Sequence, residues 1–306
     1  MAAYSQLIES IGRQREAVIG YQSRMTAIPA LGPDNGGTGE MPKALYLEGV
    51  LRDLGVSDIL RVDAPDDRVP DGVRPNIVAR IPGKSSRRLW ILGHMDVVPA
   101  GELSHWKSDP WKTVVDGDRI YGRGVEDNQQ AIVCCLLIAK QLRELNLTPD
   151  LSLGLIFVSD EETSSHYGMH YVMKKRPDLF GADDFVVIPD YGVADGSFIE
   201  ISEKGQLWLR VEVTGKEAHG SRPHEGRNAL VAASDMILHV RDLESLYAET
   251  DPIFEPPCCT FVPTRHEENV LNINSLPGRD VFYVDCRLLP GVGHDAVLAS
   301  AREIME

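Results

Sequence analysis

The chain lacks any apolar run long enough to cross a membrane. Its amino terminus, MAAYSQLIESIGRQREAVIGYQ, lacks the uninterrupted apolar core and small-residue cleavage site of a signal peptide. It also lacks a basic excess: 46 acidic residues face 31 Lys and Arg, for a formal net charge of -15, and the basic residues form no stripe. That balance argues against a nucleic-acid or anionic-membrane partner. Cysteine is scarce. The five present include the adjacent pairs Cys134/Cys135 and Cys258/Cys259, which fit neither a secreted disulfide framework nor a CxxC metal spacing. Internal repeats and low-complexity segments are missing as well. A cytoplasmic protein with reduced thiols is the expectation.

What is there begins with length: 306 residues are too many for one comfortable core and suggest two domains. Residues 4–28 and the stretch through Ala44, Leu45, Leu47, Val50 and Leu51 carry apolar positions at helical spacing and read as surface helices over a sheet. Between them PALGPDNGGTG has the composition of a mobile loop. Apolar, β-rich runs follow at Asn76 to Ile81, Leu89 to Leu92, Leu151 to Ser159 and Phe185 to Ile188, with a helical pattern from Ala131 to Leu145 between two of them. Short apolar runs bounded by loops suit strands buried on both faces. The fold class expected is therefore α/β, with residues 1–202 forming an α/β sandwich on a mostly parallel sheet. Residues 203–306 change pattern. QLWLRVEVTG alternates as a half-exposed strand, a helix spans Ala229 to Leu243, NVLNINSL and DVFYVDCRLL read as strands, and a last helix starts at His294. That order predicts a small α+β domain with an antiparallel sheet.

Chemistry gathers at the ends of the apolar runs. In LGHMDVVP, His94 and Asp96 project to the same side of an extended backbone, so the carboxylate can hold the imidazole nitrogen that a metal leaves free. In YGRGVEDNQQ, Asp127 precedes an amphipathic helix, where a capping role accounts for it taken alone. In FVSDEET, Asp160, Glu161 and Glu162 crowd the open end of a buried strand, and a dication would relieve their repulsion. Asp190 follows the strand in VVIPDYG. Parallel α/β sheets build sites along this edge, and a His and carboxylate set without thiolates points to zinc, cobalt or manganese.

These segments, GHMDVVP, SDPW before YGRGVEDNQ, SDEE and PDYG, together with EAHGSRPHEGRNA further on, resemble the metallopeptidase family of acetylornithine deacetylase, succinyl-diaminopimelate desuccinylase, carboxypeptidase G and several aminoacyl dipeptidases. Five ordered motifs form a specific signal. The resemblance implies two Zn2+ ions, with Co2+ or Mn2+ as alternatives. His94 and Asp190 would bind one, Asp127 would bridge, and Glu162 would bind the second. It implies that Asp96 orients His94, that Glu161 is the general base, and that the peptide after Asp127 is cis. The second domain becomes a lid that joins two subunits in a homodimer. Its His219 would reach the partner's active site to hold the oxyanion, and Asn272 and Arg287 would contact substrate. The implied reaction is hydrolysis of an amide bond in a small peptide or N-acyl amino acid.

Other histidines fit less well. His166 and His170 read as solvated, His266 matches no family role, and His294 reads as a helix-start residue. The CysCys pair of AIVCCLLIAK reads as buried. Family members run on past the lid and supply a late His to the second metal, which nothing after Arg287 replaces. The absent closing strand of the lid favours a longer parent chain. The alternatives are a catalytically incomplete relative or fragment that binds a ligand or partner without turnover, and a metal-dependent phosphatase or nuclease, against which the acidic balance counts.

Overall fold

The structure, a computed structural model, describes residues 2–193 and 195–305. It divides into two compact units, Met1–Asp195 and Gly196–Glu306.

The first unit is built on a five-stranded sheet in the order Asp58–Arg61, Ile77–Ile81, Leu151–Val158, Ser85–His94, Phe185–Val187. The α/β class is as expected, but the sheet is mixed. Two of its pairings are antiparallel and two parallel. The reason lies in the link between Ile81 and Ser85, which is only Pro82, Gly83 and Lys84. A parallel crossover needs a dozen residues or more, and a link this short must reverse the chain. The link crosses the start of the strand at Leu151, and a Cβ on Gly83 would lie 2.4 Å from the Leu151 carbonyl oxygen.

Alternate residues of the central strands feed two cores. Ile77, Ala79, Ile91, Leu155 and Phe157 pack against Met25, Leu47, Leu51, Ile132 and Leu136 of the helices Arg15–Thr26, Met41–Asp53 and Gln129–Glu144. Val78, Trp90, Leu92, Ile156 and Val158 face the other way, onto Val172 of the short helix Met169–Lys175 and onto Leu179. Burial on both faces is what makes these strands read as continuous apolar runs. The amino-terminal helical pattern is interrupted at Gly12, giving Ala2–Ile11 and Arg15–Thr26.

In the second unit the strand Arg279–Leu288 lies between Gly205–Thr214 and Thr260–His266, all antiparallel. The helices Ala229–Leu246 and His294–Met305 contribute Ala233, Val240, Leu243, Val297 and Ala301 to a core with Leu209, Phe261, Phe282 and Val284. Asn228 caps the first of these helices, accepting from the amides of Leu230 and Val231. One expectation shifts here. NVLNINSL is mostly loop, with only Ser275–Leu276 paired, to Ala218–His219, and the third strand is TFVPTRH. Pro263 and the register shift beside it hide that strand, because proline is confined to sheet edges and bulges. All five cysteines are free thiols, and Cys134 is exposed rather than buried as its neighbour Cys135 is. Among the described residues no helix is long and apolar enough to cross a membrane.

Trp90 is fully buried with its ring over Gly154, where a Cβ would sit 1.9 Å from a ring carbon. Gly154→Ala is therefore expected to destabilise the protein by about 1–3 kcal/mol. Gly49→Ala, in helix Met41–Asp53 with nothing within 4 Å of the new methyl group, is expected to stabilise it by about 0.5–1 kcal/mol. Paired urea unfolding curves check both, and equal signs would contradict the packing described.

Candidate metal centre

The site follows from strand register. His94 is paired with Val158 in the parallel ladder, so the chain leaving each strand emerges at the same edge, with Asp96 on one side and Ser159 to Glu162 on the other. The strand Phe185–Val187 pairs with residues 89–91 and delivers Asp190 to that edge three residues later. Asp127 comes from the turn before helix Gln129–Glu144. The peptide between Asp127 and Asn128 is cis, as the resemblance implies.

The imidazole of His94 is buried at the centre. Its Nδ1 lies 3.0 Å from the Asp96 carbonyl oxygen and 3.4 Å from Asp96 Oδ1. Its Nε2 faces the opening, 3.0 Å from Asp127 Oδ1, 3.8 Å from Glu161 Oε2 and 3.9 Å from Asp190 Oδ1. Asp96 is buried and engaged on both oxygens: Oδ1 accepts the amide of Glu161 at 3.1 Å and Oδ2 the amide of Glu162 at 3.0 Å. One carboxylate thus ties the His94 segment to the acidic loop. Asp160 sits at φ +65° and points away from the opening. It accepts from Ser164 Oγ at 3.1 Å, the Tyr167 amide at 3.0 Å and Thr163 Oγ1. Its side chain braces the loop while Glu161 and Glu162 are left to face the site.

The sequence-predicted set of His94, Asp127, Glu161, Glu162 and Asp190 is brought together in two overlapping groups. In each of His94/Glu161/Asp190 and His94/Asp127/Glu162, one ligand-type atom per residue falls within 4.8 Å of the others. The charge is poorly balanced without a cation. Burial opposes charge on His94, but its contacts with Asp127 and Asp96 outweigh that and push it up to about 11. Glu162 is pushed up to about 7 by burial and by the Asp127 charge, and Glu161 is raised by burial and by Asp190 and its other acidic neighbours. Among the described residues, buried Glu162 Oε1 has no hydrogen-bond partner. A buried oxygen without a donor is uncommon in native proteins, and a divalent metal is the partner that this donor set fits.

Sequence reasoning missed several supporting residues. Asn128 is fully buried. Its Oδ1 accepts the His94 amide at 3.2 Å, and its Nδ2 donates to Asp190 Oδ1 at 2.6 Å and to the Pro189 carbonyl at 3.2 Å. Its signal is an amide side chain at a helix start directly after a candidate ligand. Gly93 belongs to the same arrangement, since a Cβ there would lie 2.9 Å from Asn128 Oδ1. Glu40, Lys43 and Arg74 are also buried close behind the site, although the sequence around the first two reads as mobile loop and surface helix.

In the second unit, His219 is exposed, with Nδ1 2.8 Å from Ser221 Oγ and Nε2 3.4 Å from Asn274 Nδ2. Asn272 is exposed on the loop before Ser275, whose amide donates to the Asn272 carbonyl. Arg287 donates through Nε and Nη2 to Asp285, at 2.7 and 3.1 Å, so its fork is already engaged within its own strand. His166 and His170 are exposed, and His294 opens the last helix.

Comparison with known proteins places this geometry in a group. The model of peptidase family M20/M25/M40 matches residues 90–261. An uncharacterized metallohydrolase of Methanococcus maripaludis is 37% identical over 300 residues, covering 95% of this chain and 72% of that protein. The succinyl-diaminopimelate desuccinylase of Gluconobacter oxydans is 34% identical over 211 residues, covering 67% of this chain and 53% of that protein. Among solved structures, an M20 family metallo-carboxypeptidase of Sulfolobus solfataricus shares the fold with a TM-score of 0.72 at 20% identity, over 94% of this chain and 75% of that one. With its acidic, histidine-centred edge inside the matched region, the chain belongs to peptidase family M20/M25/M40 and is a metal-dependent hydrolase.

Proposed function

We propose that the protein hydrolyses an amide bond, in a small peptide or an N-acyl amino acid, at a centre holding two divalent metals, with zinc the expected pair and cobalt or manganese the alternatives. The observation that carries this reading is the division of labour between two adjacent glutamates. Glu162 presents a buried oxygen with no donor among the described residues, whereas the Glu161 side chain is partly open to solvent and 3.8 Å from His94 Nε2. His94 and Asp190 would hold one metal, Asp127 would bridge, and Glu162 would bind the second. A metal pair there polarises the scissile carbonyl and makes water acidic enough to attack at neutral pH.

The chain's own residues do the rest. Asp96 fixes the His94 ring through Nδ1 and fixes the loop amides of both glutamates, so ligand and base keep a set spacing. Asn128 orients Asp190 through the 2.6 Å bond to Oδ1. Glu161, with its affinity for protons raised by burial and neighbouring acids, takes the proton from the attacking water and passes it to the leaving nitrogen. His219, carried on the short Ala218–His219 strand, is the candidate donor to the oxyanion, reaching a partner subunit's site in a lid-joined homodimer. Asn272 is a candidate substrate contact, and Arg287 is one that would exchange its bonds to Asp285 for a substrate carboxylate. The desuccinylase among the relatives supports an acylated amino acid as substrate. The free thiols support a cytoplasmic setting.

Replacing the base separates an enzyme from a non-catalytic binding protein. In the intact gene product, Glu161→Gln is expected to keep its metal, measured by inductively coupled plasma mass spectrometry. Turnover of N-acyl amino acids and dipeptides should fall by about 10²–10⁴-fold. A metal-loaded parent with no activity on any member of that panel, or a Glu161→Gln variant as active as the parent, contradicts the proposal.

Metal removal should also be felt in stability. Zn2+ at a hundredfold excess over its dissociation constant is expected to stabilise the chelator-stripped protein by about 2.7 kcal/mol. The shift should disappear in Asp127→Asn. Thermal melts with and without metal check this, and an unchanged midpoint in the parent would rule out a site formed only in the folded state.

A further inference from the structure

The helix Met41–Asp53 presents an unusual first turn. Its capping residue Glu40 and the following Lys43 are both charged, and both have no exposed surface. A helix that merely covers a sheet has no use for charges on its inner face, because burying them costs desolvation that apolar side chains of similar size would avoid.

Their contacts run to two different parts of the metal centre. Lys43 Nζ donates to the Met95 carbonyl at 2.9 Å, within the segment that separates His94 from Asp96. The Met95 amide continues the sheet ladder to the Val158 carbonyl at 2.8 Å, so the two peptides flanking Met95 are both held. Asp96 and Glu40 are the acidic groups near enough to support the Lys43 charge against its burial. Glu40 grips the fully buried Arg74 through Nε at 2.6 Å and through Nη2. Arg74 in turn places Nη2 3.8 Å from Asp160 Oδ1, at the root of the loop that carries Glu161 and Glu162. The glycine-rich loop ahead of the helix is shaped around this arrangement: a Cβ on Gly32 would lie 2.9 Å from Arg74 Nη2, and Gly39 adopts φ +90°.

We infer that the Glu40–Lys43 turn, with Arg74, is a positioning clamp for the metal centre. One prong sets the His94–Asp96 segment, the other sets the Asp160–Glu162 loop, and their common helix fixes the distance between them. The inference rests on the metal-site reading above and extends it to three residues that touch neither metal nor substrate. Charge and hydrogen bonding both matter: a neutral residue at position 43 or 40 keeps the volume but loosens the grip on Met95 or Arg74. The bonds from the Glu161 and Glu162 amides to Asp96 are the first to register the loosening, because they span the two held parts.

The test uses the full chain with Lys43→Gln and Glu40→Gln, and Leu47→Ala as a control that removes packing from the same helix without touching the clamp. Co2+ is titrated into chelator-stripped protein and followed by calorimetry and by its visible absorption spectrum. Hydrogen exchange of residues 159–167 is measured without metal. Both glutamine variants are expected to bind Co2+ at least about tenfold more weakly. They should show an altered cobalt spectrum and faster exchange at Glu161 and Glu162, with the rest of the sheet unchanged, whereas Leu47→Ala keeps the parent spectrum. If either glutamine variant does not fold, Arg74→Lys, which retains the charge but loses the bidentate fork, is read by the same criteria. Variants matching the parent in affinity and exchange, or a control that matches the glutamine variants, overturn the clamp alone. A parent that takes up no Co2+ overturns the clamp and the metal site together.

Discussion

The crowding of negative charge at one edge of the sheet is the constraint on which the rest of the first unit depends. Asp96, Asp127, Glu161, Glu162 and Asp190 surround a single imidazole, and Asp160 lies directly behind. Like charges at such separations repel unless neutralised. The protein offsets part of the charge at the rear from within, through Lys43 near Asp96 and Arg74 near Asp160. The front is left to His94 and to what it can attract from solution. The arrangement is asymmetric: the acids facing the core lie against the buried cations Lys43 and Arg74, while those facing the opening have His94 among them.

The fold supplies position and the loops supply chemistry. Parallel strands ending in register bring His94 and Glu161 side by side although 67 positions separate them in sequence. Asp96 then converts that proximity into fixed geometry by accepting two amides and facing one ring nitrogen. Asn128 does the same for His94 and Asp190 from the other side. The centre is held partly by hydrogen bonds to its backbone, from Asp96 and Asn128, and partly by the bond from Asn128 to Asp190 Oδ1. Enzymes that depend on preset donors gain most from such rigidity.

Much of this is legible in the amino-acid sequence. His94, Asp127, Glu162 and Asp190 each stand just after an apolar run or just before an amphipathic one, and strand-end placement is a pattern that sequence exposes directly. The α/β class and the small antiparallel unit follow from the same periodicities. Residues acting from behind the site are hidden for a physical reason. Periodicity reads polar residues as outward-facing, so Glu40 and Lys43 read as solvent-facing, and Arg74 carries no signal at all. The mixed sheet and the strand at Thr260–His266 are hidden by a three-residue link and by a proline, features whose consequences depend on where distant strands lie. The bond from Arg287 to Asp285, two residues away on the same face, is likewise a feature that the strand geometry adds to the sequence.

The proposed function makes Glu162 a ligand and leaves its neighbour Glu161 uncoordinated. A crystal structure of the zinc-loaded protein, with anomalous differences recorded at the zinc edge, tests it most directly. Density for metal is expected about 2.0–2.2 Å from Glu162 and from His94 Nε2, with the Glu161 carboxylate near the metals but uncoordinated. Zinc bound directly by Glu161, with Glu162 turned away, would contradict it.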